Sequence, residues 1–361
     1  MDWSYVAIAI ALFFAMNIGA SGTAASMGAA YGSGAIKNRR TAMLLVAIAA
    51  LLGAVLGGKE VVKTISGGII PVTLMSVEVV VIVLASATLT LFGANLLGIP
   101  LSTSEVTVGS IVGVGLAYQS LFVGHLFIIV SFWLLVPAVA FIGAYFSGKL
   151  IRRVQKRWPH LQKPGSKGER WLSIVLVGCG VYEAFSAGMN NVANAVGPLV
   201  GAGLMTSNSG VWLGGFAVAL GCMLLGGKVL ETNGKKITSL SLLQGSAVSF
   251  TGGTLVIIAS LFGIPVPLTQ ATTCAILGVG TAEKGFALWQ KGIIKQIMMV
   301  WVVSPVSSLV VSFAFVHLFL RFDLYTLVVL VSVFIATLGF VALIRLIRRE
   351  NSSINDQGGG I

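Results

Sequence analysis

Long stretches almost without charge recur along this chain, at about residues 4–36, 41–57, 72–98, 122–148, 172–203, 211–225, 239–262, 297–320 and 324–346. A helix needs about 20 mostly apolar residues to cross a bilayer. Lipid offers no partner to backbone N–H and C=O groups, so a spanning segment must bond within itself or within a closed barrel. The ten-residue alternating strands of an outer-membrane barrel do not occur here, which leaves helices. A water-exposed surface is also out of reach. Only 9% of the 361 residues are charged and the mean hydropathy is +0.97, whereas a soluble domain carries about a quarter of its residues charged. The expected fold class is an all-α polytopic membrane protein.

Two shorter segments, near 100–118 and 265–282, open after prolines and read as helical hairpins. The first and fifth spans are over-long and interrupted by Gly/Ser or Asn clusters, so broken helices are expected there. Twenty of the 23 basic residues fall in five places: Lys37 to Arg40, Lys149 to Arg170, Lys228 to Lys236, Lys284 to Lys295, and Arg345 to Arg349. If each Pro-opened segment counts as one crossing, all five lie on one side, and Lys59, Lys63 and Arg321 lie opposite. The crowded side is then cytoplasmic, the N-terminus outside, the C-terminus inside, with eleven crossings. The net charge of +12 is thereby topogenic and implies no nucleic-acid partner. Met1-Asp2-Trp3 runs straight into a span without a basic n-region, so a mature N-terminus is expected and not a signal peptide. Cys179, Cys222 and Cys274 lie in apolar segments, and the three histidines are scattered. Neither set suggests a metal or cofactor site.

The chain also repeats itself. Residues 19–28 resemble 188–197, residues 58–64 resemble 226–232, and Gly98-Ile99-Pro100-Leu101 resembles Gly263-Ile264-Pro265-Val266. The pairs occur in the same order, 169, 168 and 165 residues apart. With five crossings before the basic loop, the second half enters the membrane inverted. The expected organisation is a first repeat with a connecting helix (1–148), a basic loop (149–171), an inverted repeat (172–296), C-terminal helices (297–347) and a polar tail (348–361). Inverted repeats with broken helices are the architecture of secondary transporters, with the substrate held near the midplane.

An anion inside a membrane must exchange its water for donors. Backbone N–H groups at helix starts serve well, because they also carry the positive end of the helix dipole. Hydroxyls and amides add further donors. Four segments fit: Ser21 and Thr23; Asn190, Asn191 and Asn194; Ser102, Thr103 and Ser104 after Pro100; and Thr269, Thr272 and Thr273 after Pro265. Each taken singly reads equally as a plain cap or an interhelical hydrogen bond, and their duplication in both halves favours a ligand site. None contains Lys or Arg. Among the acids, Glu105 and Glu183 lie in apolar surroundings beside these clusters. Intramembrane acids are functional candidates by default, and both are candidate proton carriers, the alternative being a structural hydrogen bond. Glu78 lies nearer a span end, where it can reach the interface.

These residues carry a resemblance. The runs at 19–35 and 188–203, the Gly-x-x-Val-x-x-Thr stretches at 58–64 and 226–232, and the Pro-opened hairpins at 100–113 and 265–278 resemble the PiT family of inorganic phosphate transporters. Phe13–Gly22, Leu101–Val106 and Glu183–Asn191 resemble its bacterial sulfate-permease branch. The resemblance implies an inverted-repeat fold, a substrate site between the hairpins and the two interrupted helices, and cation-driven anion uptake. The phosphate carriers have Gly-Ala-Asn-Asp-Val-Ala-Asn in both halves, with the aspartates implied as sodium ligands. Here Ser21-Gly22 and Asn190-Asn191 stand at the Asn-Asp positions, and Glu105 and Gln270 stand where the hairpins usually carry His.

Losing both aspartates points away from sodium and towards protons carried by Glu105 or Glu183. It also fits sulfate, which only accepts hydrogen bonds, better than phosphate, which keeps a proton. The expected function is a proton-coupled sulfate permease of the cell (plasma or inner) membrane. Its substrate-binding residues would be Ser21, Thr23, Ser102, Thr103, Ser104, Asn190, Asn191, Asn194, Thr269 and Thr272. Its partners would be sulfate, protons (sodium as the alternative coupling ion) and membrane lipids, with a homodimer left open. A sodium-coupled phosphate or other oxyanion transporter is the alternative, and an anion channel a further one. No enzyme is expected, since no Ser/His/Asp set, metal cluster or nucleotide loop is present.

Overall fold

The computed structural model describes residues 3–96, 101–159, 165–237, 240–285, 291–326, 328–329 and 331–333. Its helices run in chain order as α1 (Trp3–Gly32), α2 (Arg39–Gly57), α3 (Lys59–Gly67), α4 (Val77–Leu96), α5 (Thr103–Ala117), α6 (Val123–Arg157), α7 (Lys167–Gly201), α8 (Ser207–Ile237), α9 (Leu242–Leu261), α10 (Leu268–Lys284) and α11 (Lys291–Phe315). Among the described residues eight helices are long and apolar enough to cross a membrane, so the chain is a multi-pass membrane protein. At 15 residues, α5 reaches only about 22 Å at 1.5 Å per residue, short of a hydrocarbon core of about 30 Å.

Two expectations change. The first and fifth spans are not broken: α1 and α7 run without interruption through the Gly/Ser and Asn clusters. In α1 the hydroxyls turn back on their own helix, Ser21 Oγ donating to the Ile18 carbonyl (3.0 Å) and Thr23 Oγ1 to that of Gly19 (2.9 Å). This back-bonding satisfies a Ser or Thr without opening the backbone ladder. The basic loop is also shorter than its charge suggests. α6 continues to Arg157 and α7 starts at Lys167, capped by Ser166, whose side chain accepts from Glu169 N at 3.1 Å. Pro100, the last span at 324–346 and the tail lie wholly or mainly outside the described residues, and so do 160–164 of the loop.

The packing is reciprocal between the halves. α1 lies against α8, and α2 against α7. A methyl built on Gly19 would run into the Val218 carbonyl, and one on Gly188 into that of Ala50. Likewise Gly53 abuts the Phe185 carbonyl and Gly221 that of Met16. At the repeat's spacing of 168–169 residues each contact is the counterpart of the other. Small residues are what let membrane helices approach backbone to backbone. The same pairing recurs elsewhere: Gly113 of α5 meets Leu309 and Ser312 of α11, while Gly278 of α10 meets Phe141 and Ala144 of α6. α6 and α11 even carry their internal prolines, Pro137 and Pro305, 168 residues apart.

The first 312 residues form one compact unit. From Phe313 a second unit begins with a π-helical turn, Val316–Leu320. Asp323 then accepts from Tyr325 N (3.1 Å) and Thr326 N (3.4 Å). The Thr326 hydroxyl, aided by these N–H groups, holds its carboxyl below the usual carboxylate range.

Candidate oxyanion site

Two short helices start in the interior of the first unit. α5 is capped by Ser102, whose hydroxyl accepts from Glu105 N, and nearly every residue of α5 is buried. α10 starts at Leu268 after the segment Gly263–Pro267, in which Gly263 takes a left-handed φ of 70° where an added Cβ would stand 2.9 Å from the Glu60 carbonyl. The first N–H groups of any helix have no intrahelical acceptor, so both starts present donors at depth.

The side chains of α7 meet both segments. Asn194 Nδ2 donates to Ser104 Oγ (3.1 Å) and lies 3.5 Å from Thr103 Oγ1. Ser104 Oγ is in turn 3.3 Å from Asn190 Oδ1 and 3.5 Å from Asn191 Oδ1. Asn190 grips the lead-in to α10. Its Nδ2 donates to Ser260 Oγ (2.9 Å) and the Ile264 carbonyl (3.1 Å), and its Oδ1 accepts from Val266 N (3.1 Å). With Ser104 added, all four hydrogen-bonding positions of the Asn190 amide are engaged. Trp133 of α6 holds the same connector from the other side through Nε1 to the Pro265 carbonyl (2.9 Å).

The structure therefore brings Ser102, Thr103, Ser104, Asn190, Asn191 and Asn194 together. Ser21 and Thr23 bond within α1, and Thr23 packs on Gly226 of α8. Thr272 donates to Glu183 Oε1 (2.7 Å). The Thr269 carbonyl accepts from the Thr273 hydroxyl (2.7 Å). Gly22 and Asn191 both line a cavity of about 10 Å³ between α1 and α7, roughly the room one water needs.

Both candidate acids are fully buried, at 1% and 0% exposure, and both bond to α10: Glu105 Oε1 accepts from Gln270 Nε2, and Glu183 Oε1 from Thr272. The second oxygen of each makes no hydrogen bond of ordinary geometry among the described residues, although Ser304 lies beside Glu105 and Ser249 beside Glu183. Successive helix positions lie about 100° apart, so Glu105 turns towards α10 while Ser104 faces α7. Glu78 is exposed at the start of α4. Ser260, Gln270 and the Ile264–Val266 backbone complete the arrangement. No sequence pattern marks them as site residues except Gln270, which stands opposite Glu105 in the repeat register.

The sequence profile of the family described as the phosphate transporter family (PHO4) matches residues 18–312. The chain belongs to that family. A sulfate permease of Bacillus subtilis (strain 168), CysP, is 54% identical over 98% of this chain and 99% of its own length. A putative phosphate permease of Pyrococcus abyssi (strain GE5 / Orsay) is 30% identical over 87% of this chain and 97% of its own. A solved structure entitled the sodium-dependent phosphate transporter superposes with a TM-score of 0.77 over 90% of this chain and all of that one, at 24% identity. That likeness shows that the two chains share a fold.

Proposed function

We propose that this PHO4-family chain is a secondary-active, proton-coupled sulfate permease of the cell membrane, working by alternating access. Its two halves would be inverted relative to each other, as the reciprocal glycine contacts suggest, and the anion would bind where α5 and α7 meet. One observation carries the substrate assignment: the cluster of Thr103, Ser104, Asn190, Asn191 and Asn194 is built of hydroxyls and amides, and the nearest carboxyl in sequence, Glu105, bonds to Gln270 instead. Sulfate accepts hydrogen bonds and donates none, so a carboxylate in its site would only repel it. The 54% identity with a relative named as a sulfate permease supports the same reading.

Within the cluster, Thr103, Ser104, Asn191, Asn194 and the first N–H groups of α5 would meet the anion. Ser102 and Asn190 would hold those groups in place, the one as a cap and the other through the α10 lead-in. Thr269 and Thr272 would contribute from α10, and Ser21 and Thr23 from α1, only in a state whose hydroxyls leave their present acceptors. Coupling through protons is favoured by the donor set at Gly22 and Asn191, which offers one neutral side-chain oxygen where a hard cation gains from carboxylates. Glu105 and Glu183, each with one oxygen that makes no hydrogen bond of ordinary geometry, would carry the proton.

Labelled sulfate uptake into proteoliposomes under imposed proton or sodium gradients tests this reading. Accumulation driven by the proton gradient is expected. Uptake that follows sodium alone would remove the coupling assignment, and a preference for phosphate would remove the substrate assignment in favour of a sodium-coupled phosphate carrier.

A further inference from the structure

Behind Glu105, on the side away from the α7 amides, lies a cavity of about 450 Å³ walled by α5, α6 and α11. That is the size of a site for a drug-sized apolar molecule. Its rim is formed by Val130 and Leu134 of α6 and Val302 and Val306 of α11, which are 40–64% exposed on the apolar flank of the helices. In a multi-pass membrane protein that flank meets lipid. Trp133 forms an inner wall, and Glu105 and Gln270 are the polar groups lining the cavity. Two of their oxygens, Glu105 Oε2 and Gln270 Oε1, are buried without a hydrogen bond of ordinary geometry among the described residues, although Ser304 of α11 lies beside the Glu105 carboxyl. An apolar route that ends on such atoms exposes them to whatever enters it, and each that lacks a full hydrogen bond costs about 1–3 kcal/mol.

We propose that this groove is a lateral entrance from the bilayer to the Glu105 carboxyl, making Glu105 a modification site for lipophilic, carboxyl-directed carbodiimides. The other buried acid gives the contrast. Glu183 is fully buried among α7, α9 and α10, with Thr272 on one oxygen and Ser249 and Gly252 against it. The reaction balances within the reagent. The protonated Glu105 oxygen adds to the central carbon of the N=C=N group, and the carboxyl proton passes to one nitrogen. The acyl group then shifts to the other nitrogen, leaving an N-acylurea that retains every atom of the carbodiimide. Because the step consumes the protonated carboxyl, its rate also reports how often Glu105 carries a proton. The inference is independent of which anion is carried.

The test treats the full-length protein in lipid vesicles with dicyclohexylcarbodiimide, and in parallel with a charged, water-soluble carbodiimide, and reads adducts by peptide mass spectrometry. The expected result is a dicyclohexyl adduct on the peptide containing Glu105, none on that containing Glu183, and none at either from the charged reagent. The adduct should vanish in Glu105→Gln. It should form more slowly in Val306→Trp, which narrows the rim without touching the carboxyl and covers the case in which Glu105→Gln does not fold. Absence of the Glu105 adduct, equal labelling of Glu183, or modification by the charged reagent would each overturn the lateral entrance.

Discussion

Glu105 and Gln270 occupy the same position of the two repeats, 165 residues apart in sequence, and are hydrogen-bonded to each other in the interior. The bond ties the first turn of α5 to the first turn of α10. The pair also breaks the symmetry chemically: one half supplies an acid and the other an amide. A proton arriving on Glu105 Oε2 would convert an acceptor into a donor, a change confined to one side of a near-symmetric pair.

Glu105→Gln keeps the shape of the pair and removes the titratable group. Sulfate exchange between the two faces of a vesicle should survive, while accumulation against a gradient should be lost. Parallel counterflow and gradient-driven uptake assays separate the two. An equal loss in both would make Glu105 a binding or structural residue.

Asn190 and Asn194 are predicted to differ although they lie one helical turn apart. Asn190→Ala strands Val266 N and the Ile264 carbonyl, while Ser260 Oγ keeps its bond to the Val256 carbonyl. At about 1–3 kcal/mol for each buried group left unpaired, it should lower the melting temperature sharply. Asn194→Ala removes bonds to Ser104 and Thr103 alone, and should raise the KM for sulfate with a smaller loss of stability. Thermal denaturation in detergent and uptake kinetics on both variants check this.

Thr272 donates to one oxygen of the Glu183 carboxyl. Thr272→Val and Glu183→Met, each of which removes the bond, should each destabilise, and the double variant should cost less than their sum by about 0.5–3 kcal/mol, the range for buried residues in direct contact. A double-mutant cycle measures it, and strict additivity would show that the bond contributes nothing.

The glycines of α1, α2, α7 and α8 divide by environment. Gly53→Ala and Gly188→Ala drive a methyl into a facing carbonyl and should destabilise strongly, as should their counterparts Gly221→Ala and Gly19→Ala. Gly22 has open space where its Cβ would stand. There the helix propensity of Ala over Gly, up to about 1 kcal/mol, should leave the melting temperature unchanged or raised.

Much of the fold was legible because lipid is a stringent solvent: the apolar runs at 41–57 and 239–262 became α2 and α9 almost to the residue. Helix continuity was not. Gly, Ser and Asn usually mark breaks, yet in α1 and α7 their small size and back-bonding serve close packing and polar contacts within an intact helix. Helix ends beyond the apolar run escaped for a related reason. α6 extends through Lys149–Arg157, where charge shows that hydrocarbon has ended but says nothing against helix. At the site, the repeat identified Ser104 and Asn190 as candidates. That Asn190 spends its amide on the 264–266 backbone, and that Glu105 turns its back on Ser104, depend on tertiary geometry that no local pattern encodes.

The account rests most heavily on a carboxylate-free cluster of hydroxyls and amides at the meeting of α5 and α7, and competition for labelled sulfate uptake by unlabelled oxyanions in proteoliposomes addresses it directly. Saturable uptake that excess sulfate suppresses and phosphate barely affects, with the KM raised in Asn194→Ala, is the predicted result. Uptake that does not saturate, that phosphate suppresses as well as sulfate does, or whose KM ignores Asn194 would contradict it.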